Sequence, residues 1–262
     1  MSGRITGRLT NGIRFDFEDA SDPAIGALIH LQYVAPALAP ILEAALHPGA
    51  TFYDIGANIG LYSLWASRIV GPEGDVRSFE PVPATAALLQ HFASINGLHN
   101  ITVIPCAVGA ERREAWLHFD VGESAQSHIA VTSSSTSLHV SMVRLDDYPD
   151  DAPPPTLVKI DVEGYELQVL EGSQSVLKRH RPVIVLEVIA SHLRRHSASY
   201  PEIYRRLRVL GYVVYDLTPR GLRPSVLDRP TANVLALCPA VMSHNEVEAR
   251  LSKTCFARNQ TV

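Results

Sequence analysis

Four short apolar runs in this chain each carry an acidic residue at or next to their C-terminal end: TFYDIG (51–56), DVRSFE (75–80), TLVKID (156–161) and PVIVLEV (182–188). Runs of this length bounded by turn residues read as strands, and a strand without polar alternation is buried on both faces. Three more runs behave alike: ITVIPCAV (101–108), YVVYDL (212–217) and ANVLALCP (232–239). Between most of them lie stretches that read as helices, NIGLYSLWASRIV (58–70), PATAALLQHFASIN (83–96), GYELQVLEGSQSVLKR (164–179) and PEIYRRLRVLG (201–211). The alternation predicts an α/β fold with a mostly parallel seven-stranded sheet and helices on both faces. No helix separates the last two runs, so they pair as antiparallel neighbours and give the sheet an antiparallel edge strand.

Outside this frame the chain divides into three parts. Residues 1–48 read as a hairpin and a helix that cap the substrate side, 49–240 as the cofactor-binding domain, and 241–262 as a C-terminal extension. Asn11-Gly12 between two β-like runs predicts a hairpin turn with positive φ at both positions. The helix is expected over 31–46, stopped by His47-Pro48-Gly49. Between Val108 and Thr156 the alternation is interrupted by REAWLHF, a Ser/Thr-rich loop and LHVSMVRLDDY, read as two extra strands and a loop near the carboxyl edge of the sheet. His118, His128 and His139 flank that loop, and Asp146 is expected to start a short helix.

The formal net charge is -4 and basic residues form no long block, which recommends no nucleic-acid partner. The three cysteines, Cys106, Cys238 and Cys255, are too scattered for a disulfide framework or a zinc site and imply a reducing, cytoplasmic setting. MSGRITGR lacks the apolar core of a signal peptide. The longest apolar region, 28–49, is interrupted by His, Gln, Glu and Pro and is no membrane span.

Ligands of open α/β sheets sit beyond the carboxyl ends of the strands, where Asp54, Gly56, Asn58, Glu80, Asp161 and Glu187 fall. The turn D-I-G-A-N-I-G departs from the dinucleotide fingerprint, because Ala57-Asn58 stands where a glycine must let backbone approach a pyrophosphate. Asp54 would also repel phosphates. S-adenosylmethionine fits better: it has no phosphate, and its sulfonium and ammonium suit an acidic strand end. Gly56 would leave the cofactor room, Asn58 would cap the next helix, and the helix's free N–H groups suit a carboxylate. Glu80 would accept the ribose hydroxyls.

FYDIGANIGLYSLWAS, SFEPVPATAALLQ, the LDDY at 145–148, LVKIDVEGYELQVLEG and VIVLEV together resemble the FkbM family of methyltransferases over roughly 33–239. The resemblance implies a Rossmann-like class I methyltransferase fold, S-adenosylmethionine as donor and an oxygen acceptor, often a sugar or polyketide hydroxyl. It implies a cofactor site of Tyr33, Asp54, Gly56, Asn58, Gly60, Glu80, Pro81, Ala107 and Asp161. It also implies a reacting face of Asp161, Glu163, Glu187 and, five residues further on, His192.

An alcohol acceptor must lose its proton as the methyl group moves. A positioned base is one route, with His192 as the candidate, and a divalent cation such as Mg2+ held by Asp161 and Glu187 is the other. Glu163 and Glu166 also suit the positive end of a helix dipole. Lys159 shares a face with Asp161 in an otherwise apolar strand and needs a carboxylate partner once buried. The acceptor is expected to be a small molecule or an oligosaccharide, and a homodimer is compatible with this reading.

Overall fold

The computed structural model describes residues 5–17, 37–119, 127–130, 137–149, 151–218, 221–227 and 231–258. The strands are β1 (Ile5–Arg8), β2 (Arg14–Phe17), β3 (Thr51–Ile55), β4 (Asp75–Phe79), β5 (Ile101–Ile104), β6 (Ala107–Val108), β7 (Arg113–Phe119), β8 (Ser127–Ala130), β9 (Ser137–Val143), β10 (Leu157–Ile160), β11 (Val183–Glu187), β12 (Val213–Thr218), β13 (Gly221–Pro224) and β14 (Asn233–Leu237). The helices are α1 (Ala39–Ala45), α2 (Leu61–Val70), α3 (Pro83–Ile95), α4 (Glu166–Glu171), α5 (Gln174–His180), α6 (Ala190–Arg195), α7 (Tyr200–Val209) and α8 (His244–Arg258).

The central sheet runs in the order β13-β12-β14-β11-β10-β3-β4-β5. β5, β4, β3, β10 and β11 are parallel, and the apolar runs of β3, β10 and β11 lie at the buried centre. β14, expected at the edge, is antiparallel to both β11 and β12 and lies between them, and the edge itself is antiparallel too but is a different strand. The edge is an eighth strand, β13, which turns back on β12 through Thr218↔Gly221. Its sequence, GLRP, has too little apolar pattern to announce a strand.

Alternate residues of each strand feed two cores on opposite faces. Phe52 and Leu157 belong to one, and Tyr53, Ile55, Val158 and Ile160 to the other. The hairpin β1–β2 joins the first core, where Phe15 and Phe17 pack edge-on against Phe92 of α3. Its turn differs from expectation. Gly12 alone takes positive φ (85°), and the connection is closed by Gly12 N–H to Leu9 O and Leu9 N–H to Ile13 O, each 2.8 Å. This is the three-residue hairpin whose left-handed position falls to glycine.

Of the helix expected over 31–46, residues 37–46 are described, and of these 39–45 are helical. α8 packs beside it, with Arg250 Nη1 donating to Ala44 O (3.0 Å) and Val247 and Leu251 in the core. The interrupted region forms a second sheet, β6-β9-β7-β8. Its apolar face carries Ala115, Leu117, Ile129, Val140 and Met142. It holds a strand more than the two expected from 113–143, and 131–136 lies outside the described residues.

No helix among the described residues is long and apolar enough to cross a membrane.

Candidate active site

The carboxyl ends of β3, β4 and β10 and the apolar face of the second sheet enclose a cleft of about 690 Å³, open to solvent. One wall is apolar: Ile55, Phe79, Cys106, Val108, Leu117 and Ile129. Burial pushes the Cys106 thiol up to about 11, so it stays protonated and behaves as part of that wall. The opposite side is polar, with Asn58, Glu80, Asp161 and Glu163.

Of the expected cofactor residues, Gly56, Asn58, Glu80, Pro81, Ala107 and Asp161 all line this cleft. Tyr33 lies outside the described residues. Glu80 is buried, and its two oxygens accept the backbone N–H of Asn58 and of Val82 at 2.9 Å each. Burial raises its pKa, against those two amides and Lys159. The carboxylate is therefore fixed before any ligand arrives, with lone pairs left over to accept further hydrogen bonds.

Three residues sit differently from expectation. Asp54 is fully buried beneath the turn: it accepts Ser63 Oγ–H (2.6 Å) and pairs with Lys159 Nζ (3.1 Å), its direct cross-strand neighbour. Gly56 is demanded by the protein's own backbone, since a Cβ there would lie 1.9 Å from the Asp161 carbonyl oxygen, at φ 77°. Asn58 precedes the helix cap. It is left-handed (φ 52°) and turns its side chain onto the Ile59 N–H (2.7 Å), while Gly60 is the residue at the N-cap. Gly60 also makes room for Leu89, whose Cγ would stand 2.5 Å from a Cβ.

Lys159 ties the turn to the strands. Its Nζ reaches Asp54, Gly56 O (3.0 Å) and Asp161 Oδ2 (3.4 Å). Burial works against the ammonium, but Asp54 and Asp161 outweigh it and drive its pKa upward. Asp161 is thus held at one end by a cation and still faces the cleft.

Beyond Asp161 the turn Val162-Glu163-Gly164 is shaped by Glu166, whose Oε1 accepts the N–H groups of Val162 and Gly164 at 3.1 Å each. That is a structural task in the first turn of α4, as its position predicts. Glu163 is left-handed (φ 55°), and Gly164 presses on the His192 carbonyl, which a Cβ would meet at 2.3 Å. The turn thereby brings Glu163 Oε2 to 2.9 Å from His192 Nδ1 at the buried start of α6. Glu187, from the end of β11, completes a trio whose donor atoms all lie within 4.8 Å of one another. Glu163 and Glu187 therefore converge with His192, whereas Asp161, expected beside Glu187 as a metal ligand, is drawn to Lys159.

These acids crowd one another. Burial, then Asp161 and Glu166, lift the Glu163 carboxyl to about 7. Burial, then Asp161, Glu163 and Glu166, lift Glu187 to about 8. Near neutral pH the cluster is poised to hold or release protons.

Asp146 is elsewhere. It sits in the short helix Leu145–Asp147 and accepts the Val176 N–H (3.0 Å) beside Arg144. His139 packs at a tilt against Trp116 on the outer face of the second sheet, away from the cleft, and the side chain of His128 is not among those described. The sequence reasoning missed Leu117 and Ile129 as cleft walls. The inward alternation of Ala115 and Leu117 in REAWLHF was the available sign.

The model of the methyltransferase FkbM domain matches residues 54–214. The chain is 30% identical to the hexuronic acid methyltransferase AglP of Haloferax volcanii over 136 residues, 51% of this chain and 54% of that one, so the match spans about half of that relative's length. It is 26% identical to Methyltransferase 1 of Beauveria bassiana over 180 residues, 60% of this chain and 72% of the relative. Among solved structures, a methyltransferase FkbM from Methylobacillus flagellatus KT aligns with a TM-score of 0.45 at 20% identity, over 83% of this chain and 55% of that one.

Proposed function

The chain belongs to the FkbM methyltransferase family, and from that premise we propose that it is an S-adenosylmethionine-dependent O-methyltransferase acting on a hydroxyl of a sugar, an oligosaccharide or a glycosylated metabolite. The residues present suit the donor: the preset Glu80 for the ribose diol, the apolar wall for adenine, and acids for a cationic centre. When bound, this cofactor supplies a methyl group on a sulfonium, which departs as a neutral thioether.

The protein's part is alignment and proton removal. Glu80 orients the donor, and Asp161, steadied by Lys159, faces the positive centre. Holding two reactants in line is worth on the order of 7–11 kcal/mol. A neutral hydroxyl also needs help in losing its proton, and a positioned base typically contributes ~10²–10⁴-fold. The observation that carries the oxygen-acceptor reading is the meeting of Glu187 and His192 with Glu163, which lines the cleft. Binding alone gives no use for such a cluster. Divalent-cation assistance enters the reading through the same side chains.

The acidic rim disfavours nucleic-acid phosphates. A sugar acceptor is further supported by the relative named for hexuronic acid.

The test is transfer of a radiolabelled methyl group from S-adenosylmethionine to a panel of neutral glycosides, uronic acid glycosides, glycolipids, polyketides and amines. Label in an acid-stable, base-stable ether on a sugar is the expected result. No cofactor binding at millimolar concentration, or label on amines alone, would overturn the reading.

A further inference from the structure

We propose that Glu163, Glu187 and His192 form a binding site for one divalent cation of the first transition row, in preference to Mg2+. The inference rests on the methyltransferase reading only for its purpose; the site itself is argued from geometry.

Three separate elements deliver the donors: the turn after β10, the end of β11, and the start of α6. Their donor atoms all fall within 4.8 Å of one another. Glu163 Oε2 and His192 Nδ1 are 2.9 Å apart. Two ligands at right angles on an ion with bonds of about 2.0–2.1 Å stand about 2.9 Å apart, so the pair fits adjacent corners of one coordination shell. The Glu163 oxygen is shut off from water with the imidazole nitrogen as its neighbour, so a cation bound there would be shared by the two.

The ligand types choose the ion. Mg2+ demands oxygen donors and keeps much of its water, whereas a neutral imidazole suits first-row transition ions. A set of one imidazole and two carboxylates leaves corners for water and for an acceptor oxygen. Asp161 is no part of the set, because Lys159 already balances it.

The test uses the metal-free full chain, with Mn2+ as the probe and its free-ion electron paramagnetic resonance signal as readout. One Mn2+ per chain is expected to bind, to be displaced by Zn2+, and to resist an excess of Mg2+. Glu187→Gln and His192→Asn are each expected to weaken Mn2+ by more than ~100-fold, beyond what outer-sphere changes cause. S-adenosylmethionine affinity, measured by calorimetry in the same samples, is expected to persist and shows that the variants are folded. Absence of Mn2+ binding with cofactor binding intact, unchanged Mn2+ affinity in both variants, or displacement by equimolar Mg2+ would each overturn the proposal. Those outcomes leave the methyltransferase reading standing, because it is judged on cofactor binding and methyl transfer.

Discussion

Lys159 Nζ stands 3.1 Å from Asp54 Oδ1, with both side chains almost wholly excluded from water. A buried pair of this kind stabilises little over an apolar pair of the same shape, but removing one partner strands the other charge. Lys159→Met and Asp54→Leu are each expected to cost about 3–5 kcal/mol. The double variant is expected to cost less than the sum of the two. Urea denaturation of the four proteins gives the coupling directly, and simple additivity would mean that the two charges do not depend on each other.

Glu80 is held by two amides before a ligand binds. Its loss removes a charge-assisted hydrogen bond worth about 1.5–3 kcal/mol. Glu80→Ala is therefore expected to weaken S-adenosylmethionine by roughly 10- to 150-fold. Calorimetry of the variant against wild type measures this, and NADH is expected not to compete.

Gly56 and Gly60 stand in the same turn, yet their replacements should differ. At Gly56 a new Cβ meets a backbone carbonyl, which has nowhere to go; at Gly60 it meets a leucine side chain, which can turn aside. Gly56→Ala is expected to cost more than about 2 kcal/mol and Gly60→Ala distinctly less. Thermal melts rank them, and equal losses would show that φ alone sets the cost.

Burial places the Glu166 carboxyl near 7 in the folded protein, above its ordinary 4.5. The folded chain therefore keeps a proton that the unfolded chain gives up. The associated stability is complete below the unfolded value and is lost as pH rises through the folded one. Glu166→Gln keeps an oxygen acceptor for Val162 and Gly164 but does not titrate. Between about pH 5 and about pH 8, with chelator present, its stability should fall less steeply than that of wild type. Glu163 and Glu187 contribute in the same direction, so the slope should shrink rather than vanish.

What the sequence disclosed followed from local rules. Apolar runs named the parallel strands, and acids at their ends marked the cleft, because strand polarity alone decides which edge is functional. The need of Lys159 for a carboxylate was legible, and the structure supplies two. What stayed hidden depended on tertiary approach. Asp54 points to the same face as Lys159 once register aligns them, so its charge is spent under the turn. Gly56 answers to the carbonyl of a residue more than a hundred positions away. His192 meets Glu163 only because Gly164 lets the turn lie against α6, a contact that no spacing within EVIASHL contains. β13 escaped notice because an edge strand needs hydrogen-bond partners more than an apolar pattern.

The place of β14 has a consequence for biogenesis. It is wedged between β11 and β12, both of which leave the ribosome before it. Until residues 233–237 emerge, the nascent chain carries an open slot with two unsatisfied edges, and the last strand closes the sheet like a keystone. Translation arrest upstream of that segment should leave a sticky, protease-sensitive intermediate, whereas arrest downstream of it should not.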